Sequence, residues 1–234
     1  MQNRSLKSIT VLFIGFAFLV LTAQAAFDPL AEQKSELMKT LEKRYIVKDD
    51  RIISAVINAA REDFLPELMK KYSYVDISLP LDNMNIIISH SDILKAILSL
   101  KKSDSEKALI IGRNGGFSAA VLSSLYESVY LIESNRAEEE KYKAVFPGKY
   151  TNISTAFTDN YNYFDTSGPF DLVLINGWIS KFSGDYINLL KEDGQIIFPL
   201  KDNDGFQLLY RGERAGETYD IEVIGEVIYP AFSR

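Results

Sequence analysis

The stretch that decides the fold is "ALIIGRNGGFSAAVL", which runs from Ala108 to Leu122. A short apolar run breaks into a glycine-rich turn and then resumes as a helix-like segment. A strand, a glycine turn and a helix in this order are typical of a doubly wound parallel sheet, in which backbone N–H groups of the turn face a nucleotide-like ligand. Two positions depart from that pattern: Ile110 stands where an acid is common, and Asn114 stands where glycine is common. The turn is therefore either a cofactor site that is retained or the remnant of one.

Strand-like and helix-like segments alternate through the second half of the chain. The predicted strands are Ala108–Ile111, Ser128–Glu133, Thr151–Ala156, Leu172–Asn176 and Gln195–Leu200, and the predicted helices between them are Phe117–Leu125, Ala137–Val145 and Tyr186–Leu190. Strands that alternate with helices indicate a mostly parallel sheet. Two further strand-like runs, Gly205–Arg211 and Ile221–Tyr229, flank the polar segment "GERAGETYD" and predict an antiparallel C-terminal hairpin.

The first 25 residues have the pattern of a secretory signal peptide. Arg4 and Lys7 precede an uncharged apolar run from Ile9 to Leu21, and Ala23-Gln24-Ala25 follows as a small-x-small cleavage pattern. The run is shorter than the ~18–20 residues that span a bilayer. We therefore predict export to the periplasm or the outside, with no stable membrane span after cleavage. The alternative is an uncleaved segment that anchors the chain in the membrane.

The remaining chain is predicted to form one domain. A helical N-terminal region covers residues 26–100, with helical character from Asp28 to about Tyr72 and Asp49 or Asp50 as a helix N-cap. The α/β core covers residues 101–234. A chain of 234 residues with 47% hydrophobic residues is long enough to bury such a core.

Composition excludes several functions. Without cysteine, the chain has neither disulfides nor thiolate chemistry. His90 is the one histidine, which excludes a multi-histidine zinc site and weakens a serine–histidine triad, so we predict no metal. We expect His90 to be a surface residue without a role, and the alternative is that it donates a hydrogen bond to a bound carboxylate. A net charge of −6 lacks the electrostatic footprint of a nucleic-acid-binding protein.

Glu133 ends the strand that follows the glycine turn. A carboxylate about 20 residues after the glycines is where a ribose diol is gripped in such sheets. The alternative is that Gly112, Gly115 and Gly116 only permit tight packing of strand against helix, and that Glu133 is an exposed acid at a strand end. Either interpretation fits these residues alone.

A series of segments in fixed order supports the cofactor interpretation, because it resembles the protein-L-isoaspartate O-methyltransferase family, whose members use S-adenosylmethionine. The resemblance covers roughly Ile46 to Phe232. Its segments are "DDRIISAVINAAREDFLPELMKKYSYVDISLPLDN", "IIISHSDILKAIL", "ALIIGRNGGFSAAVL", "VYLIE", "TDN", "GPFDLVLING", "LLKEDGQIIFPL" and "VIYPAF". The order implies the Rossmann-like fold of class I methyltransferases, with an antiparallel C-terminal hairpin and an N-terminal helical extension.

The resemblance also assigns roles to individual residues. It implies that the cofactor is held by Gly112, Asn114, Gly116, Glu133 and Asp159, and that the Ser89 hydroxyl contacts the isoaspartyl carboxylate. Five positions depart from the family pattern: Ile110 for an acid, Asn114 for glycine, Phe117 for tyrosine, Ile87 for threonine and Ser91 for proline. Asparagine tolerates positive φ, so we expect the turn to survive. Losing the proline predicts a looser substrate loop.

Three functions follow from these observations. The first is an exported carboxyl methyltransferase that acts on isoaspartyl residues of damaged proteins or peptides, with weakened or lost binding of S-adenosylmethionine. The second is a catalytically degenerate protein of the same fold that has a binding or structural role in the bacterial envelope. A nucleoside- or dinucleotide-binding oxidoreductase is third, because it fits Glu133 but leaves the "SLPLDN" and "IIISHSD" segments unexplained. Trp178 is interpreted either as a lid or as simple packing, and the sequence does not define an oligomeric state.

Overall fold

The computed structural model describes residues 29–82, 85–101 and 105–232, so the predicted signal peptide lies outside the described residues. Its helices are α1 (Pro29–Arg44), α2 (Asp50–Asn58), α3 (His90–Leu98), α4 (Gly116–Leu122) and α5 (Glu139–Lys149). Its strands are β1 (Leu79–Pro80), β2 (Ile86–Ile87), β3 (Ser105–Gly112), β4 (Tyr126–Glu133), β5 (Ile153–Phe157), β6 (Phe170–Asn176), β7 (Leu190–Lys201), β8 (Gln207–Ala215) and β9 (Thr218–Glu226). Within this part of the chain, no helix is long and apolar enough to cross a membrane.

Seven strands form one sheet in the order β5-β4-β3-β6-β7-β8-β9. The strands β5, β4, β3, β6 and β7 run parallel to one another, and β8 runs antiparallel to both β7 and β9. Gly112 of β3 is in register with Glu133 of β4 and with Asn176 of β6. The carboxyl ends of three parallel strands therefore meet at one edge of the sheet, as the predicted doubly wound fold requires.

Both faces of the sheet are covered, because the central strands carry apolar side chains on both sides. On one face, Leu109, Val173 and Ile196 belong to a smaller apolar cluster. On the other face, Ile110 belongs to a larger cluster that also contains Leu41 of α1 and Val56 of α2. The N-terminal helices thus share a hydrophobic core with the sheet, and the Asp49 side chain caps α2 by accepting a hydrogen bond from the backbone nitrogen of Arg51 at 2.9 Å.

The fully buried Arg61 organises the region between α2 and α3. Its guanidinium donates to the carbonyl oxygens of Ser73, Val75, Ile77 and Ile87 at 2.8–3.3 Å. One side chain therefore satisfies the backbone of an irregular segment that has few ladder hydrogen bonds of its own. Burial lowers the pKa of Arg61 to about 10, so the side chain remains charged at neutral pH.

The C-terminal hairpin has a shorter turn than the sequence pattern indicates. Most of "GERAGETYD" lies within β8 and β9, and only a tight turn with Gly216 at φ +65° connects them. The strand β9 lies at the edge of the sheet and most of its residues are exposed, so polar side chains are tolerated there and the apolar alternation is weak. The predicted helix over Tyr186–Leu190 is instead a 3₁₀ helix over Gly184–Leu189, followed directly by β7.

Candidate active site

The glycine turn keeps a backbone that few residues can adopt. Gly112 has φ +150°, and a Cβ there would lie 2.5 Å from the carbonyl oxygen of Asn176. Asn114 adopts the left-handed conformation with φ +52°, so the expectation that asparagine preserves the turn is confirmed. Asn176 ties the turn to β6, because its side-chain nitrogen donates to the carbonyl oxygen of Arg113 at 2.7 Å.

Glu133 lies beneath the turn and its carboxylate accepts four hydrogen bonds from the chain itself. Oε1 accepts from the backbone nitrogens of Asn114 at 3.0 Å and Asn135 at 2.8 Å. Oε2 accepts from the backbone nitrogen of Gly115 at 3.0 Å and from the Tyr142 hydroxyl at 3.1 Å. A carboxylate offers about four lone-pair directions, so this one is fully used. Glu133 is completely buried, which differs from the exposed strand-end acid of the alternative interpretation.

Burial dominates the ionisation of this carboxylate. It raises the pKa of Glu133 to about 7, against the opposing effect of the three backbone N–H groups and the Tyr142 hydroxyl. Burial also raises the pKa of Tyr142 well above its usual value, and the Glu133 carboxylate adds to the shift. The phenol is therefore neutral and can donate to Glu133 over the whole physiological pH range.

A small cavity remains on the side of the turn where the adenine is expected. It has a volume of about 130 Å³ and is lined by Gly112, Ser134, Thr158, Asp159 and Phe232, among others. Sites for small-molecule ligands usually measure ~300–1,000 Å³. Asp159 thus lines a cavity at the end of β3 that is smaller than a nucleoside site, and its place beside an adenine stays a prediction.

Ser89 lies at the start of α3 in a different and larger opening. Its hydroxyl accepts a hydrogen bond from the backbone nitrogen of Asp92 at 3.0 Å and so caps the helix. The groove in front of it has a volume of about 760 Å³ and is lined by the acids Asp76, Asp92 and Glu226 and by the exposed apolar residues Ile77, Phe206 and Ile228. Burial raises the pKa of Asp92, an effect that outweighs its contact with the Ser89 hydroxyl.

The loop that carries Ser89 is held by hydrogen bonds at position 91, where the family pattern has proline. The backbone nitrogen of Ser91 donates to Asp76 Oδ1 at 2.8 Å, a bond that proline cannot form. The Ser91 hydroxyl also donates to Asp76, and Arg44 donates to Asp76 Oδ2 at 2.8 Å. A side-chain network therefore restrains the loop where the proline ring is absent, and the looser substrate loop stays a prediction.

His90 is buried, so the expectation of a surface residue is wrong. Its ring stacks on Tyr74 with centroids 5.6 Å apart and meets the edge of Phe117, with centroids 5.2 Å apart. His90 opens a helix that packs on α2, and its ring contacts Phe117 of α4. The polar residues around His90 in the sequence do not reveal this burial. Burial lowers the pKa of His90 well below its usual value, and the nearby Arg61 charge adds to the shift.

Trp178 follows β6 and forms backbone hydrogen bonds with the C-terminal segment. Its nitrogen donates to the carbonyl oxygen of Pro230 at 2.8 Å, and its own carbonyl oxygen accepts from Phe232 at 3.1 Å. Its half-buried ring lies under the Lys201 ammonium, which is 4.5 Å from the ring centroid. Trp178 and Phe232 also line a cavity of about 370 Å³ beside the small one.

The residues predicted to hold the cofactor lie together in the structure, but they are only part of the site. Gly112, Asn114, Gly116, Glu133 and Asp159 come together at one edge of the sheet, whereas the opening in front of Ser89 shares no lining residue with the small cavity. Their roles toward a ligand remain predictions. Tyr142 was missed, because a tyrosine within a charged amphipathic helix carries no motif. Asn176 could have been found, since it ends the strand beside Gly112.

The sheet of this chain is parallel from β5 through β4, β3 and β6 to β7, carries a glycine turn after β3 and continues with the antiparallel β8, an arrangement that is also found in Rossmann-like methyltransferases. Two solved structures share it. One is a protein-L-isoaspartate O-methyltransferase with a TM-score of 0.74 and 21% identity over 86% of this chain and 66% of that one. The other is the enzyme from Plasmodium falciparum in complex with S-adenosyl-L-homocysteine, with a TM-score of 0.68 and 19% identity over 86% of this chain and 98% of that one.

The chain belongs to the protein-L-isoaspartate(D-aspartate) O-methyltransferase (PCMT) family, whose family model matches residues 32–233. A relative named protein-L-isoaspartate O-methyltransferase from Aliivibrio fischeri (strain ATCC 700601 / ES114) is 26% identical over 199 residues, which are 85% of this chain and 95% of that protein. Protein-L-isoaspartate O-methyltransferase 2 from Shewanella sediminis (strain HAW-EB3) is 28% identical over 184 residues, which are 78% of this chain and 75% of that protein.

The conformation described here does not accommodate the cofactor that this family implies. The cavity of about 130 Å³ is too small for an adenosine group, and the carboxylate that would grip the ribose is fully used by the chain itself. A ribose that engages Glu133 must therefore share or displace some of these internal partners.

Proposed function

We propose that this chain is an S-adenosylmethionine-dependent carboxyl methyltransferase that acts on isoaspartyl residues in proteins or peptides. The observation that carries the proposal is the family match over residues 32–233, which includes both the glycine turn and the Ser89 loop. A carboxylate acceptor is already ionised at neutral pH, so the reaction needs no general base. Positioning and exclusion of water are then the protein's main contributions.

The residues around Ser89 support this assignment. The groove of about 760 Å³ is wide enough for a peptide, and its apolar rim of Ile77, Phe206 and Ile228 offers contacts to flanking side chains. The Ser89 hydroxyl lies at the groove on a helix start that Asp76 fixes through Ser91. A hydroxyl held in this way can contact a substrate carboxylate from a fixed position.

Transfer of a radiolabelled methyl group to an isoaspartyl peptide tests the proposal. We expect incorporation with the isoaspartyl peptide and none with the matching aspartyl peptide. Ser89→Ala should abolish most of it, whereas Ser89→Thr, which keeps a hydroxyl and the helix cap, should retain part. Ser183→Ala is the matched control, because Ser183 caps a 3₁₀ helix elsewhere by accepting from the backbone nitrogen of Asp185. Absence of incorporation with the unmodified chain would reject the proposal.

A second candidate function is a degenerate member of the family that has a binding or structural role. The specific observation in its favour is the closed turn, in which Glu133 is bonded to the backbone nitrogens of Asn114 and Gly115. Isothermal titration with S-adenosylmethionine and S-adenosylhomocysteine separates the two candidates. No heat of binding at millimolar ligand supports the degenerate protein, and saturable binding supports the enzyme.

We also propose that residues 1–25 direct export of the chain to the periplasm or beyond. The support is the basic start, the short apolar run and the Ala23-Gln24-Ala25 pattern. N-terminal sequencing of the chain purified from the envelope fraction of a bacterial host tests this. A mature N-terminus at Ala26 is expected, whereas an intact N-terminus in the membrane pellet identifies an uncleaved anchor.

A further inference from the structure

The groups that a ribose-bearing cofactor needs from this chain are bonded to one another. The backbone N–H groups of Asn114 and Gly115 are the donors of the glycine turn, and the Glu133 carboxylate is the acceptor expected for the ribose hydroxyls. Each of these two N–H groups donates a hydrogen bond to one oxygen of the Glu133 carboxylate, at 3.0 Å. A ligand can engage Glu133 only by sharing or displacing some of these internal partners.

Tyr142 is the one side chain among those four partners of Glu133. Its hydroxyl donates to Glu133 Oε2 at 3.1 Å and accepts from the backbone nitrogen of Gly116 at 2.9 Å, so it bridges the acid and the start of α4. Its buried ring is fixed by aromatic contacts, with centroid distances of 6.1 Å to Phe64 and 5.0 Å to Phe146. The hydroxyl is therefore held where a ribose hydroxyl would otherwise donate.

We propose that Tyr142 determines the cofactor affinity of this chain by competing with the ribose for Glu133. This inference rests on the proposed function for the identity of the cofactor. The tyrosine is a specificity-determining residue rather than a catalytic one, because its hydroxyl acts on the acid that binds the cofactor. The closed turn is the state that Tyr142 stabilises.

Loss of the hydroxyl weakens the closed state in two ways. Glu133 loses the hydrogen bond that it accepts from the Tyr142 hydroxyl, and the buried N–H of Gly116 loses its acceptor. In the open state, ligand and water replace these partners, so that state is affected less. Tyr142→Phe should therefore bind the ligand about tenfold more tightly than the unmodified chain.

Titration with S-adenosylhomocysteine, which cannot donate a methyl group, measures this without a reaction. The full chain, Tyr142→Phe and Tyr150→Phe are compared by calorimetry. Tyr150→Phe is the matched control, because its hydroxyl also accepts a backbone N–H, that of Ala60 at 3.1 Å, without contacting Glu133. We expect about tenfold tighter binding for Tyr142→Phe and a change within about twofold for Tyr150→Phe. Equal or weaker binding by Tyr142→Phe, or no binding by any chain, overturns the inference.

The rate at which the unmodified chain binds S-adenosylhomocysteine provides a second test. It needs no substitution, so it can be carried out even if Tyr142→Phe does not fold. Trp178 is the single tryptophan, and it is bonded to Phe232 at the wall of the small cavity, so its fluorescence reports ligand binding. If the turn must open first, the observed binding rate levels off as S-adenosylhomocysteine increases. A rate that rises linearly to the highest concentration overturns the inference.

The methyl-transfer assay distinguishes failure of the inference from failure of the proposed function. Methyl transfer by the unmodified chain, with unchanged affinity in Tyr142→Phe, overturns the inference and leaves the function standing. Tighter binding by Tyr142→Phe, without transfer to an isoaspartyl peptide by any chain, supports the inference and rejects the function.

Discussion

His90 and Phe117 meet edge to face in the core, with ring centroids 5.2 Å apart. His90 opens α3 directly after Ser89, and Phe117 lies in the first turn of α4 directly after the glycine turn. This contact therefore joins the candidate substrate loop to the candidate cofactor turn. Both nitrogens of His90 lack a hydrogen-bond partner among the described residues, so the ring acts as an apolar group and is neutral.

The buried neutral histidine predicts acid sensitivity. The pKa of His90 lies well below 6.5 in the folded chain, so the unfolded chain binds its proton first as the pH falls. The contribution of His90 to the free energy of unfolding should therefore decrease by about 1.4 kcal/mol per pH unit below about 6.5. His90→Phe should remove this decrease. Urea unfolding of both chains between pH 5 and pH 8 measures it, and parallel pH profiles would contradict it.

A second pair of variants tests the packing of the glycine turn. A Cβ at Gly116 would lie 2.6 Å from the Tyr142 ring and 2.7 Å from the Phe64 ring, whereas a Cβ at Gly148 in α5 would meet no described heavy atom within 4 Å beyond its chain neighbours and the backbone of its own helix. We expect Gly116→Ala to lower the free energy of unfolding by about 1–3 kcal/mol. Gly148→Ala should raise it by up to about 1 kcal/mol, because alanine favours the helix. Equal effects in thermal unfolding would show that the space around Gly116 is larger than described.

The sequence predicted the sheet and the turn better than the contacts around the turn. The central strands are apolar on both sides, so their period and their order with helices are visible in the sequence, and the special backbone at Gly112 and Asn114 needs the residue types found there. The partners of Glu133 depend on where α5 crosses the edge of the sheet, which brings Tyr142 under the turn. That crossing depends on aromatic packing between distant residues, and no local pattern encodes it. The burial of His90 was missed for the same reason.

The network around Asp76 provides a third prediction. Its carboxylate accepts from the backbone nitrogen and hydroxyl of Ser91 and from Arg44, and its side chain is 11% exposed. Asp76→Ala should lower the free energy of unfolding by about 2 kcal/mol, because a buried N–H loses its partner together with charged hydrogen bonds. Asp185→Ala is the control, since Asp185 makes comparable contacts to Ser183 in an exposed position and should cost less than about 1 kcal/mol. A loss below that of the control would show that Asp76 does not hold the loop.

The acids of the groove provide a fourth prediction, about substrate affinity. Asp92 lies beside Ser89 and repels an isoaspartyl carboxylate when it is ionised, whereas asparagine keeps an acceptor for the neighbouring N–H of Ile228. We expect Asp92→Asn to lower the KM for an isoaspartyl peptide several-fold at neutral pH, by roughly 1 kcal/mol of binding free energy. Glu140→Gln changes the net charge equally at an exposed site paired with Lys143 and should leave KM unchanged. A similar fall in KM in Asp92→Asn and Glu140→Gln would show that the effect comes from net charge.

The ionisation of Glu133 makes stability depend on pH in the opposite direction to that of His90. The pKa of Glu133 is about 7 in the folded chain, against an ordinary value of 4.5 for a solvated glutamate, so the folded chain holds a proton that the unfolded chain releases. The contribution of Glu133 to stability is therefore fully present below about pH 4.5 and is lost as the pH rises to about 7, by roughly 3 kcal/mol in total.

His90 changes stability in the opposite direction between pH 4.5 and 6.5, so the effect of Glu133 is measured as the difference in the free energy of unfolding between the full chain and Glu133→Gln. In denaturant unfolding that difference should shrink steadily from pH 4.5 to 7, because glutamine does not titrate. A difference that is constant across this range would show that Glu133 is ionised throughout in the folded chain.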